Sequence, residues 1–263
     1  MIFIFIEEPK TSSSDIKFAV LIDADNIPYS YIRGILSEIA RYGTPTIKRI
    51  YGDWTRPDLS GWKRVLLEYA IAPIQQYSYT TGKNSTDSAM IIDAMDILYE
   101  NNVDGFCIVS SDSDFTRLAT RLRESGKRVI GLGERKTPQP FIVACDKFIY
   151  LEILGSAHKE EGEPEEEDIR EKKEPKAKKE KSKALPQSVI RLISDSVNDV
   201  ADEDGWAFLG EIGNIILKKE PSFDARNYGY AKLTPLIAAT GLFEIDRRDT
   251  ANRGIKHIYI RVK

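Results

Sequence analysis

The sequence predicts an α/β domain, with a parallel sheet covered by helices on both faces. A charged connector and a small α+β domain of winged-helix plan follow. Three observations carry this. Apolar strand-like runs alternate with helix-spaced segments over residues 1–154, the pattern of a parallel sheet. From Gly155 to Lys183, 19 of 29 residues are Asp, Glu, Lys or Arg, so too little apolar surface is present to offset the entropy of ordering. Beyond residue 185, three amphipathic segments precede a β-hairpin, as in a winged helix. The expected divisions are 1–154, 155–184 and 185–263.

Lys17 to Asp23 is a short apolar run suited to a strand buried on both faces. Asn26 and Pro28 signal a helix start, and Tyr29 to Arg41 keeps helical spacing until Gly43. Thr46 to Tyr51 is the second strand, Trp62 to Ala70 a helix, and Ala72 to Tyr77 the third strand. Met90, Ile91, Ala94, Met95 and Leu98 form one face of a helix over 85–99. Gly105 to Ser110 is a fourth buried strand, and Phe115 to Ser125 a helix closed by Gly126. Arg128 to Leu132 is a fifth strand, a short helix follows Pro138, and Phe148 to Leu154 is the last strand. In the C-terminal part, helices are expected over 189–200, 209–217 and 233–239, with a turn at Gly205-Trp206. Leu242 to Ile245 and Lys256 to Val262 then make the hairpin, around a turn at 249–254.

Composition narrows the function classes. The net charge is −3, so the whole chain is no general polyanion binder, although a local basic patch is allowed. Two cysteines, Cys107 and Cys145, cannot build a disulfide framework or a four-cysteine zinc site, and a reducing, cytoplasmic setting is expected. Two histidines argue against histidine-rich metal chemistry. No run of 18 apolar residues is present to span a membrane. The opening MIFIFI is too short for a signal peptide. It reads as an edge strand or a partner-contact segment, and with the sheet edge it is the hint of a homodimer.

The acidic residues fall at strand ends. Asp23 closes the first strand in VLIDADN, Asp112 and Asp114 follow the fourth in VSSDSDF, and Asp87 opens the helix after the third. In an open parallel sheet, ligands bind at the carboxyl ends of the strands near the point where strand order reverses. Adjacent central first and fourth strands bring Asp23, Asp112 and Asp114 together there. A hard divalent cation, Mg²⁺ or Mn²⁺, relieves their repulsion in an oxygen-only site. Each residue also has an ordinary explanation as a helix cap or first-turn acid. A carboxylate closing a buried apolar strand, with two more after another such strand, favours the metal site. Asp25 is the weakest member and Asp93 a second-tier one.

VLIDADNI, GKNSTDSAMIIDAM and VSSDSDFTRLATRLRESGKRVIGLG, in that order, resemble the NYN domain, in its LabA-like branch. The resemblance implies a PIN-like Rossmannoid fold and membership in a superfamily of metal-dependent ribonucleases. Asp23, Asp87, Asp112 and Asp114 then match the acidic constellation that is catalytic and holds Mg²⁺ or Mn²⁺, with Asn26 as the motif's asparagine. Asp146 is a candidate for the family's last aspartate. Lys83, Ser110 and Ser111 flank the site and could touch phosphate. The stretch DGWAFLGEIGNIILKKEPSFDARNYGYAKLTPLIAATGLFEIDRR resembles the OST-HTH domain, also called LOTUS. This implies a winged helix that binds RNA and, in some members, protein.

Local charge supports RNA. From Arg226 to Lys263 eight basic residues face three acidic ones. Arg226, Lys232, Arg247 and Arg248 are the candidate RNA contacts, with Arg253 and Lys256 on the wing. Phosphate contacts of this kind hold RNA without selecting sequence. Phe223, Tyr228 and Tyr230 read as core or turn packing. Arg49, Arg56, Lys63 and Arg64, with Trp54 and Trp62 among them, form a basic-aromatic stretch suited to single-stranded nucleic acid. The leading expectation is a Mg²⁺- or Mn²⁺-dependent ribonuclease with an RNA-capturing winged helix. The alternatives are a non-catalytic RNA-binding adaptor that keeps the fold, and a phosphatase with Asp23 as covalent nucleophile and Asp25 as acid/base.

Overall fold

The computed structural model describes residues 15–77, 85–155, 185–249 and 256–263. The apolar opening, Lys83, the connector from residue 156 and Arg253 lie outside the described residues. The chain divides into two compact units, Met1–Cys145 and Asp146–Lys263.

Six strands form the first sheet: β1 (Lys17–Asp23), β2 (Thr44–Gly52), β3 (Ala72–Gln75), β4 (Gly105–Val109), β5 (Arg128–Gly133) and β6 (Lys147–Tyr150). Their order is β3-β2-β1-β4-β5-β6. β1 lies parallel to both β2 and β4, with Asp23 opposite Tyr51 and Ile22 opposite Val109. β2 with β3 and β4 with β5 are also parallel. The order reverses at β1 and β4, so the crevice for a ligand opens at their carboxyl ends. β1 is buried from Phe18 to Asp23 and β4 along its whole length, as expected of central strands covered on both faces. Gly105 is required at the start of β4, because a Cβ there would lie 2.5 Å from the Phe18 ring and 2.7 Å from the Arg128 carbonyl oxygen.

The flanking helices are α1 (Ile32–Ile39), α2 (Trp62–Glu68), α3 (Ser85–Glu100), α4 (Thr116–Glu124), α5 (Gln139–Ala144) and α6 (Glu152–Gly155). The segment expected as a last strand over 148–154 is strand only to Tyr150. Leu151 and Leu154 are buried at helical spacing, and Glu152 sits in the first turn of α6, where an acid is favoured. Among the described residues no helix is long and apolar enough to cross a membrane.

The second unit contains α7 (Gln187–Asn198), β7 (Ala207–Phe208), α8 (Leu209–Lys219), α9 (Leu233–Thr240), β8 (Phe243–Asp249) and β9 (Lys256–Val262). The expected three helices and hairpin are present, and the short β7 joins the hairpin in an antiparallel sheet of order β7-β9-β8. Ile193, Val197, Ile212, Ile216, Leu236, Phe243 and Ile260 fill the core between helices and sheet. Phe223 is part of that core, and Tyr228 and Tyr230 pack against it. Gly205 turns the chain into β7 with φ +79°, a region open to glycine at no steric cost. Asp202 Oδ1 accepts from the Asp204 and Trp206 amides at 3.1 and 2.8 Å, an Asx turn that fixes where Trp206 emerges.

Candidate active site

Asp23 ends β1 at the reversal of strand order and is almost fully buried, at 1% exposure. Its Oδ2 accepts from Asn26 Nδ2 at 2.6 Å and from Ser110 Oγ at 2.8 Å, and its Oδ1 accepts from the Asp25 amide at 3.1 Å. Burial pushes its carboxyl above the usual range, and the Asn26 and Ser110 bonds partly oppose the rise. Ser110 also accepts from the Asp112 amide at 3.1 Å. One buried hydroxyl thus ties the end of β1 to the loop after β4.

That loop carries the next two acids. Asp112 caps a short 3₁₀ turn and accepts from the Asp114 amide at 3.0 Å. Asp87 lies in the first turn of α3. Carboxylate oxygens of Asp87, Asp112 and Asp114 all lie within 4.8 Å of one another. Asp87 is pushed up to about 6, first by burial and then by the charges of Asp23, Asp112, Asp114 and Asp25. Asp23 therefore lies within electrostatic reach but stands outside the trio, and its oxygens already hold protein donors. Three of the four expected acids thus cluster, and the fourth, Asp23, is buried within electrostatic reach of Asp87.

Two supporting networks were not legible in the sequence. Asp25 accepts from Arg56 Nη1 at 2.9 Å and from Thr86 Oγ1 at 3.2 Å. It links the loop after β2 to the residue beside Asp87, and Arg56 also pairs with Asp58. Asp93 accepts from both Arg49 and the Tyr51 hydroxyl, pinning α3 to β2. Burial and the bond to Asp93 raise the Tyr51 phenol's pKa, so Tyr51 is a donor at neutral pH. Signals did exist: a threonine directly before Asp87, and Asp93 six residues further along α3.

Several expected contact residues are already engaged. Asn26 and Ser110 serve Asp23, and Ser111 Oγ accepts from the Glu134 amide at 2.9 Å. Ser110 and Ser111 are buried, and Asn26 is half-buried. Asp146 is half-buried before β6 and is not one of the three clustered acids. The basic-aromatic stretch does not form a stacking surface. Trp62 is 2% exposed and part of the core, and the half-buried Trp54 donates its indole N–H to the Ile74 carbonyl at 3.0 Å. Lys63 and Arg64 occupy the exposed face of α2.

In the winged helix, Arg226 is held by Asp224 through Nε and Nη2 at 3.0 and 2.7 Å. Lys232 and Arg247 are exposed, and Lys256 pairs with Asp249 at 3.3 Å. Arg248 lies over the Tyr259 ring, 4.1 Å from its centroid, and bonds Asp246 at 2.9 Å.

A parallel sheet with clustered carboxylates at its reversal of strand order defines a PIN-like α/β domain. Residues 17–152 match the NYN domain and residues 178–255 the OST-HTH/LOTUS domain. The chain belongs to the NYN domain family. NYN domains form part of the PIN-like nuclease superfamily, and both domains are RNA-associated. An uncharacterized protein of Methanocaldococcus jannaschii, MJ0482, is 28% identical over 134 residues. The match covers 48% of this chain and 51% of that protein, so the chain spans about half the length of this curated relative. The crystal structure of VPA0982 from Vibrio parahaemolyticus, a protein of unknown function, shares 22% identity and a TM-score of 0.45, over 52% of this chain and 94% of that one. A solution structure of an uncharacterized Nitrosomonas europaea protein, locus NE0665, shares 31% identity and a TM-score of 0.29, over 37% of this chain and 92% of that one.

Proposed function

We propose that this protein is a divalent-cation-dependent ribonuclease that hydrolyses RNA phosphodiester bonds, with the winged helix as an RNA-holding module in the same chain. The observation that carries the reading is the approach of Asp87, Asp112 and Asp114 to within 4.8 Å at the crevice of an NYN sheet. The residues fit a hard cation. The donor set is all oxygen, and Asp87 is raised to about 6 partly by neighbouring charges that an ion would neutralise. Asp87, Asp112 and Asp114 would hold Mg²⁺ or Mn²⁺. When bound, such an ion supplies an activated water and charge relief at the phosphoryl oxygens.

The remaining roles belong to the chain. Ser110 and Asn26 hold the buried Asp23 carboxyl in place at the end of β1. Asp25 and Asp93 hold the two ends of the first turns of α3, and so set where Asp87 stands. Lys83, Lys232 and Arg247 are the cations we assign to RNA phosphate. Tethering the two domains raises the local concentration of RNA at the crevice. The buried thiols of Cys107 and Cys145 suit a reducing, cytoplasmic setting.

The test is incubation of the purified chain with labelled RNA and Mn²⁺, with and without EDTA. Shortening that EDTA abolishes supports the nuclease. Binding with no EDTA-sensitive shortening contradicts it and leaves an RNA-binding adaptor.

A further inference from the structure

The antiparallel sheet of the C-terminal unit has one covered face and one open face. Ala207, Ile260 and Phe243 point inward to the core, and Ile245 and Ile258 pack against it. Side chains alternate along a strand, so the residues between them face outward. These are Phe208 on β7, His257, Tyr259 and Arg261 on β9, and Glu244, Asp246 and Arg248 on β8. Trp206, two positions before Phe208, emerges on the same side. Solvent-facing sheet positions are ordinarily polar. Here three are aromatic rings, and none is aliphatic.

Ring contacts show that this is one continuous surface. Phe208 lies 4.9 Å from His257 and 5.8 Å from Tyr259, centroid to centroid. The Arg248 guanidinium stands 4.1 Å from the Tyr259 centroid and 5.4 Å from that of Trp206. Arg261 lies 4.6 Å from Trp206. The arginine side chains remain accessible, at 42% and 39% exposure. Each is also held by a carboxylate: Arg248 by Asp246 at 2.9 Å and Arg261 by Glu244 at 2.5 Å. Their planes are therefore fixed, and their charges are largely balanced.

We propose that this outer face is a stacking platform for the unpaired bases of single-stranded RNA, carried by Trp206, Tyr259 and Phe208 with Arg248 and Arg261 as planar partners. The inference rests on the RNA reading above and deepens it by naming the substrate class and the surface. Aromatic rings and guanidinium planes on a sheet offer π-faces to splayed bases, which a duplex keeps stacked inside. With both arginines paired to acids, phosphate attraction is small and stacking supplies the affinity. On this face Arg248 and Arg261 are paired with Asp246 and Glu244, so the rings rather than net charge select the occupant, and the RNA-associated OST-HTH/LOTUS match makes that occupant an unpaired strand of RNA.

The experiment measures binding of labelled strands of equal length to the full chain in EDTA, so that cation-dependent cleavage cannot intervene. The strands are oligoadenylate, oligouridylate and an abasic sugar-phosphate oligomer. The expected order is adenylate over uridylate over abasic, with a shallow dependence on salt. Trp206→Ala and Tyr259→Ala are each expected to weaken adenylate binding about 5- to 100-fold, the range for loss of one stacking ring. Trp206→Phe and Tyr259→Phe keep a ring and are expected to bind within a few-fold of wild type (~3-fold). They also serve where the alanine variants melt early. Equal binding of abasic and adenylate strands overturns the proposal. So does unchanged adenylate binding in alanine variants that keep the wild-type melting temperature, which would make the face a protein-contact surface. Ring-dependent binding together with no Mn²⁺-dependent cleavage supports the platform and removes only the nuclease.

Discussion

Ser110 donates its hydroxyl proton to Asp23 Oδ2 at 2.8 Å, across 87 residues of sequence, and so joins the carboxyl ends of β1 and β4. The Asp112 amide closes on the same hydroxyl oxygen at 3.1 Å. A single buried side chain therefore sets the spacing between the innermost acid and the loop that carries two others.

Ser110→Ala leaves a buried carboxylate short of one donor. Such a loss costs about 1–3 kcal/mol. The variant is expected to unfold at lower urea concentration than wild type and to bind Mn²⁺ more weakly. Equilibrium denaturation and metal titration check the two effects separately.

Asp87 gives a pH dependence with a definite sign. Its folded value is raised from 3.8 to about 6. The metal-free fold is then relatively most stable below pH 3.8, and that stability is lost as pH rises through about 6. Asp87→Asn is expected to stabilise the metal-free protein at pH 7.5, by about 1 kcal/mol once solvent screening of this half-exposed group is allowed for. The gain should vanish near pH 3.5. Urea midpoints in EDTA at the two pH values test it.

Asp112→Asn is expected to abolish Mn²⁺-dependent cleavage, leaving the melting temperature and the RNA affinity in EDTA unchanged. Asp112 is half-exposed, and an amide oxygen can still accept from the Asp114 amide. A cleavage time course beside wild type is the check.

Asp93→Ala leaves the buried Tyr51 hydroxyl and Arg49 without their shared acceptor. The expected loss of stability is about 2–4 kcal/mol, the upper part belonging to the charged donor. Freed from β2, α3 should also hold Asp87 less firmly. Tyr51→Phe removes one bond only, and a loss of about 1 kcal/mol is expected.

Trp62→Ala separates packing from recognition. Trp62 belongs to the core, so the variant should lose about 3–5 kcal/mol of stability. RNA affinity of the folded protein should stay at the wild-type level. Denaturation curves and binding below the transition distinguish the two.

The parallel sheet and its acids were legible because the signals are local. An apolar run that closes on Asp23, and another followed by Asp112 and Asp114, mark strand ends directly, and Asp87 stands in the first turn of a helix whose Met90, Ala94 and Leu98 are buried. What the sequence hides is partnership over distance. Arg56 meets Asp25 from 31 residues away, and Thr86 meets it from 61. The inward turn of Ser110 depends on which face the chain leaves β4, and no composition reveals that. Lys63 and Arg64 made Trp62 look like part of a nucleic-acid surface, yet on α2 they take the exposed face while Trp62, Val65 and Leu66 take the buried one. Trp206 read as a turn marker because its ring partners, Arg248 and Arg261, join it only when the hairpin closes on β7.

Calorimetric titration of Mn²⁺ into the EDTA-stripped, dialysed chain tests the clustered carboxylates most directly, with Asp112→Asn titrated in parallel. Saturable uptake by wild type, lost or weakened at least about tenfold in the variant, is the predicted result. No uptake by wild type, or the same isotherm for both proteins, would contradict it.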